Sequence, residues 1–158
     1  MVDTKVKMDH LDHQIMEILQ KDGRITNSKL AQMVGLSAPT VLERVKKLER
    51  SGVIQNYRAN IEPKKLGLNF QVYTGIEIEV SQLGYVKQLE ERFRSLPEVL
   101  ACYHIAGDLD FLLQVCVKDQ ETYKDFVIEQ LSKVPGIKGI KSWVVLSTIK
   151  DDNFIQVD

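Results

Sequence analysis

A chain of 158 residues is long enough for one medium domain or two small ones with proper cores. Its 44% apolar and 27% charged residues are those of an ordinary globular protein, which excludes a largely disordered chain. The net charge of −1 gives no hint of nucleic acid, but its distribution does: residues 1–60 hold 10 Lys/Arg against 7 Asp/Glu, and residues 61–158 hold 11 against 15. No apolar run is long enough to span a membrane, and MVDTKVKMD lacks the apolar segment of a signal peptide, so the cytoplasm is the expected compartment.

In chain order, the first helix is expected to start at Asp9. That residue can cap it, and Asp12 suits the N-terminal turn. Leu11, Ile15, Ile18 and Leu19 give it one apolar face, and Gly23 ends it. Thr26 caps a second helix with Leu30, Met33 and Val34 inward, and Ala31 leaves room for a close crossing. Gly35 marks a turn. Ser37 caps a third helix with Pro39 in its first turn, where a missing N–H costs nothing. Val41, Val45 and Leu48 form its buried stripe. Pro39, Thr40, Glu43, Lys46, Lys47 and Arg50 point the other way, with Arg44 on the flank. Ser51-Gly52 stops this helix, and residues 53–61 alternate as a short strand or wing would.

Two short helices joined by a tight turn, the second with a basic outer face, are how a helix-turn-helix presents a recognition helix to double-stranded DNA. Such a face can also be merely solvated; what favours DNA is that helices of suitable length share one turn and one basic face. Polar residues near the helix N-terminus reach base edges in the major groove. Ser37, Ala38, Thr40, Glu43 and Arg44 are so placed. Lys46, Lys47, Arg50 and Arg58 are placed for phosphates, whose contacts carry affinity and weaken with salt. One small helix-turn-helix needs a second copy to read a two-fold site, so the rest of the chain is expected to dimerise.

Pro63 and Gly67 bracket a linker. Residues 70–80 alternate as a half-buried strand, with Val72, Thr74, Ile76, Ile78 and Val80 on one side. Gly84 to Ser95 reads as a helix using Val86, Leu89 and Phe93. Val99 to Ala106 is a strand, GDLD (residues 107–110) a turn, and Phe111 to Val117 the returning strand. A helix from about Asp119 to Lys133 uses Tyr123, Phe126, Val127 and Leu131, and Val134-Pro135-Gly136 breaks it. Ile140 to Ile149 is a last strand. The β-α-β-β-α-β order is that of the ferredoxin-like sheet with two helices on one face. The other face is apolar enough to want a partner, and a second copy is the simplest one. The fold class is therefore α+β: a winged helix-turn-helix domain at 1–60, a linker at 61–69 and a ferredoxin-like domain at 70–158.

Cys102 and Cys116 lie in apolar strands and read as buried free thiols, with a single disulfide as the alternative. His10, His13 and His104 make no metal pattern. Trp143, which points away from its neighbours 142 and 144, reads as interface packing. No Ser-His-Asp set, phosphate loop or paired-acid constellation appears, so neither catalytic residues nor a cofactor are expected.

Four motifs in the right order resemble the Lrp/AsnC, or feast/famine, family: LDHQIMEILQKDGRIT, LAQMVGLSAPTVLERVKKLERSGVIQNY, AGDLDFLLQV and VPGIKGIKSWVVL. The resemblance covers nearly the whole chain. It implies a transcriptional regulator that dimerises through its C-terminal domain and assembles further, to an octamer. It also implies that an amino acid or similar small effector binds between dimers and shifts assembly or DNA affinity. By position, Gly107, Asp108 and Asp110 carry over as effector contacts, with Asp110 the better ligand and Asp108 open to a turn role. Ser142 keeps one of two hydroxyls of the family's closing strand, while Ile140 and Ala106 stand where the family often has threonine. Tyr103, on the strand entering the hairpin, is a further candidate for the pocket or an interface. Two other classes stay open: an enzyme built like the sirohaem decarboxylases, and a ligand-binding assembly protein without DNA binding.

Overall fold

The computed structural model describes residues 6–79, 84, 86–151 and 154–157. It divides into two compact units, one of residues 1–60 with 150–158 and one of residues 61–149. The sequence expectation gave residues 150–158 to the second domain; the described ones, 150, 151 and 154–157, fall in the first unit.

The first unit is built on three helices: α1 (His10–Lys21), α2 (Asn27–Val34) and α3 (Ala38–Arg50). Each start is fixed by a side chain. Asp9 and Asp12 form a reciprocal capping box on α1, Thr26 accepts from Lys29 N–H, and Ser37 accepts from Thr40 N–H. Gly35 turns the chain between α2 and α3 with φ of 69°, a left-handed conformation that glycine adopts without a Cβ clash. Ile15, Leu30, Val41 and Leu48 are completely buried between the helices. Full burial of each contributes about 1.5–3 kcal/mol, so these four residues hold the unit together.

Two expectations fail here. Met33 is 58% exposed; Ala31, with Leu30 and Val34, supplies the buried face of α2 instead. Residues 53–61 form no strand, because no second strand pairs with them among the described residues. The segment is pinned by Tyr57, whose hydroxyl donates to Glu49 Oε1 at 3.0 Å and whose ring edges Gly23.

Residues 154–157 return to this unit. Gln20 clips the main chain at Ile155 from both sides: Nε2 donates to Ile155 O at 3.0 Å, and Oε1 accepts from Ile155 N–H at 2.7 Å. Lys21 Nζ sits 5.5 Å from the Phe154 ring centre, and Val157 packs against the helical core.

The second unit begins with a 3₁₀ turn, Pro63–Leu66. Then come β1 (Phe70–Ile78), α4 (Val86–Arg94), β2 (Val99–His104), β3 (Phe111–Val117), α5 (Gln120–Phe126) and β4 (Ile137–Val144). A single π-type turn, Val127–Leu131, extends α5. The sheet order β2-β3-β1-β4, antiparallel throughout, is the ferredoxin-like arrangement. The last strand starts and ends earlier than expected, and position 80 lies outside the described residues.

One sheet face meets both helices. Val72, Ile76, Phe111, Leu113 and Val115 form the core there with Leu89 and Phe93 of α4 and Tyr123 and Phe126 of α5. Thr74, buried among them, is hydrogen-bonded through the Tyr123 hydroxyl (2.8 Å) to Ser142 Oγ (2.6 Å). The thiols of Cys102 and Cys116 are free. The opposite sheet face carries exposed Tyr103 and Trp143, with Gly75 between the strands beneath them. A Cβ on Gly75 would stand 2.4 Å from Leu109 Cδ1 and 2.8 Å from the Trp143 ring. Only glycine lets both side chains lie flat on the sheet.

The tail clip has a measurable share in the first unit. Gln20→Ala removes two exposed hydrogen bonds and is expected to destabilise the unit by about 1 kcal/mol. Removing residues 150–158 should cost more, because Val157 leaves the core edge as well. Amide exchange in α1 and α2 reports the loss, while the Trp143 emission transition of the second unit stays in place. Unchanged exchange in both variants would show the tail to be inert.

Candidate functional site

On α3, the N-terminal half stands open. Ser37, Pro39, Thr40 and Glu43 are exposed and Ala38 is half-buried. The Ser37 and Thr40 hydroxyls lie 2.7 Å apart, so this first turn is ordered before any ligand arrives. Further along the helix Lys46 pairs with Glu43 at 3.5 Å. Arg50, and Arg58 beyond the helix, are exposed and make no ion pair among the described residues.

Arg44 and Lys47 are placed differently from the sequence reading. Arg44 Nη1 lies 2.9 Å from both Asp9 carboxylate oxygens and 2.7 Å from Asp12 Oδ1. Its guanidinium is turned towards α1, where two carboxylates need a cation between them, and not out towards a groove. Lys47 Nζ donates to Lys7 O at 3.1 Å and sits 3.4 Å from Asp12 Oδ2. Its side chain remains half exposed, so it can still meet a phosphate.

Burial alone would raise the Asp12 carboxyl. The Arg44 hydrogen bond, the Asp9 N–H and Lys47 outweigh burial and hold it below the ordinary carboxylate value. At Asp9 the Asp12 N–H and then Arg44 do the same, and Arg44 is itself raised by the two acids.

In the second unit, the residues of the β2–β3 hairpin gather with the ends of β1 and β4 around an open cleft of about 750 Å³. Gly107, Asp108 and Asp110 line it, together with Glu77, Glu79, Lys138 and Lys141. Lys138 pairs with Glu77, which lowers the Glu77 carboxyl and raises the Lys138 ammonium. The cleft thus holds acids and amines side by side, as a zwitterion requires.

Within it the two hairpin aspartates differ. Asp110 Oδ2 accepts Ile78 N–H at 2.8 Å, and its main chain bonds Ile76 and Ile105, so Asp110 stitches the hairpin to β1. Asp108 is exposed and has no bonded partner among the described residues. Ser142 and Tyr103 stand away from the cleft. The Ser142 hydroxyl faces the helices and is engaged by Tyr123, because alternation along β4 sends it to the side opposite Trp143. Ile140, one step away on the same side, packs against the core, and Ala106 is exposed. Tyr103 lies on the open sheet face. The sequence reading missed Glu77, Glu79, Lys138 and Lys141. Strand alternation offered a partial signal, since Glu77 and Glu79 fall on the side of β1 away from the core. Among the described residues no group of three potential metal ligands occurs.

The acid side of the first unit should show in its stability. Asp9 and Asp12 bind protons less tightly folded than unfolded, so their contribution is complete above the ordinary value near pH 4 and lost as pH falls through their lowered values. Urea midpoints read by amide exchange in α1 should drop below about pH 4, and Asp12→Asn should flatten that drop. A wild-type profile no steeper than the variant's would contradict it.

The chain matches known proteins along nearly all of its length. Residues 8–55 match the winged helix-turn-helix DNA-binding model, and residues 71–155 match the Lrp/AsnC ligand binding domain. The leucine-responsive regulatory protein of Escherichia coli K12 is 36% identical over 157 residues, covering 97% of this chain and 96% of that protein. The Bkd operon transcriptional regulator of Pseudomonas aeruginosa is 36% identical over 143 residues, covering 90% and 94%. Among solved structures, a transcriptional regulator from Neisseria meningitidis in complex with L-methionine superimposes with a TM-score of 0.88 at 31% identity, covering 93% of this chain and 95% of that one. With a DNA-binding helical unit and a ligand-binding sheet unit in this order, the chain belongs to the Lrp/AsnC family of transcriptional regulators.

Proposed function

We propose that this regulator binds double-stranded DNA as a homodimer, assembles further towards an octamer, and responds to an amino acid with an apolar side chain. It works in the cytoplasm and performs no catalysis. The observation that carries the DNA role is the open, pre-ordered first half of α3, flanked by exposed cations. Ser37, Ala38, Thr40 and Glu43 meet base edges, and Lys46, Lys47, Arg50 and Arg58 meet phosphates. The exposed sheet face with Tyr103 and Trp143 serves as the surface between copies.

The effector reading is supported by the mixed charges of the hairpin cleft. Asp108 accepts the ammonium group, the lysines neutralise the carboxylate, and Gly107 lets the backbone come close. Asp110 supports the hairpin rather than the ligand. The Neisseria relative bound to L-methionine and the leucine-responsive name of the Escherichia coli relative favour an apolar side chain.

Two measurements test this. Binding to a duplex that the protein itself selects from a random pool should weaken steeply with salt, the slope reporting the number of phosphates neutralised. No selection would refute the DNA role. A thermal-shift survey of the twenty amino acids should show a rise in melting temperature with L-leucine or L-methionine. Asp108→Ala should abolish that rise; a flat wild-type survey would refute the amino-acid effector.

A further inference from the structure

The only cation of α3 that reaches two carboxylates of α1 is Arg44, among the described residues. Asp12, at 1% exposed, is the sole charged residue buried in this way among the described residues. Its two oxygens are filled from different directions. Arg44 Nη1 takes Oδ1 at 2.7 Å, while Asp9 N–H (3.3 Å) and Lys47 Nζ (3.4 Å) share Oδ2. Asp9 is the cap of α1 and also binds Arg44. The guanidinium is thus part of the capping box of α1, although it belongs to α3.

We propose that Arg44 and Asp12 form a positioning pair that fixes how far α3 is rolled about its axis, and thereby which of its residues meet the bases. This rests on the DNA-binding reading above and removes Arg44 from the base contacts. The apolar seam of Val41, Val45 and Leu48 is held by an attraction that is itself non-directional. Crossing angles of packed helices scatter by about 15–20° from one pair to another, so packing preference alone leaves room for an axial roll of about that size. At a side-chain radius of about 6 Å such a roll displaces a tip by nearly 2 Å, whereas a hydrogen bond to a base edge works within a few tenths of an ångström. Ion pairs between fixed groups are directional, and this one is anchored in the cap of another helix. A base contact by Arg44 would strip the buried Asp12 of its nearest counter-charge, which disfavours that use.

The test compares wild type, Arg44→Ala, Arg44→Lys, Asp12→Asn and the Arg44→Ala/Asp12→Asn double variant as full chains. Each is measured well below its melting temperature on the selected duplex and on a scrambled duplex of equal length. The pair predicts that Arg44→Ala and Asp12→Asn lower the ratio of selected to scrambled binding by similar factors, about tenfold, a contact-sized loss. The double variant should lose no more than the worse single one. Arg44→Lys should recover part of the ratio, and the salt slope should stay as in wild type. Should Arg44→Ala fail to fold, Arg44→Lys and Asp12→Asn carry the same comparison.

Several results would overturn the pair. Asp12→Asn with full discrimination, beside an Arg44 variant that loses it at one base pair, would make Arg44 a base reader. A salt slope lowered by about one in the Arg44 variant alone would make it a phosphate contact. Wild-type discrimination in every folded variant would reduce the pair to stability. If wild type selects no duplex, the DNA-binding reading fails first and the pair's role with it.

Discussion

A carboxylate buried in a small helical unit is a demanding thing to keep. Asp12 is buried in the same unit as the apolar core of Ile15, Leu30, Val41 and Leu48. Leaving it unpaired there would cost several kcal/mol, on the order of 3–5. The unit's design follows from that constraint. The first turn of α1 must offer an N–H, and α3 must run close enough for Arg44 and Lys47 to arrive from its side. The charge that stabilises the cap of one helix therefore orients another. What remains open on α3 is the outer side of its first turn and a half, at Pro39, Thr40 and Glu43.

The second unit separates its tasks by sheet face. On the helix side a chain of three hydroxyls, Thr74, Tyr123 and Ser142, satisfies its own polarity across β1, α5 and β4. On the other side Gly75 clears a shallow seat in which Trp143 and Leu109 lie together. Leu109 belongs to the same hairpin as Asp108, so the cleft and the open sheet face share one loop. A ligand that moves the hairpin moves Leu109, and Leu109 touches the tryptophan's seat. The two roles proposed for this unit, recognition of a metabolite and contact between copies, meet at that loop.

Much of this was legible in the sequence because it is local. Caps at Asp9, Thr26 and Ser37, the turn at Gly35, and the alternation of β1 depend on neighbours a few residues away. The missed features depend on distance. Arg44 reads as a flanking residue on a helical wheel, within reach of base edges, and only a partner 32 residues upstream turns it towards α1. Met33 fits the apolar period yet falls outside it, because the close crossing is made by Ala31. Residues 53–61 alternate like a strand, but alternation supplies no ladder partner. In the site, Ser142 was carried over by resemblance against its own strand parity, since Trp143 next to it marked the opposite face. Lys138 and Lys141 could not be placed without the register of β4 on β1.

The return of residues 154–157 to the helical unit bears on how the protein is made. The helices of that unit are complete by Arg50, but Gln20 and the core edge near Val157 wait for a segment encoded beyond the whole sheet unit. During synthesis the DNA-binding unit therefore stays open on one side until the ligand-binding unit has left the ribosome. A chain interrupted in between carries a recognition helix without its final clasp.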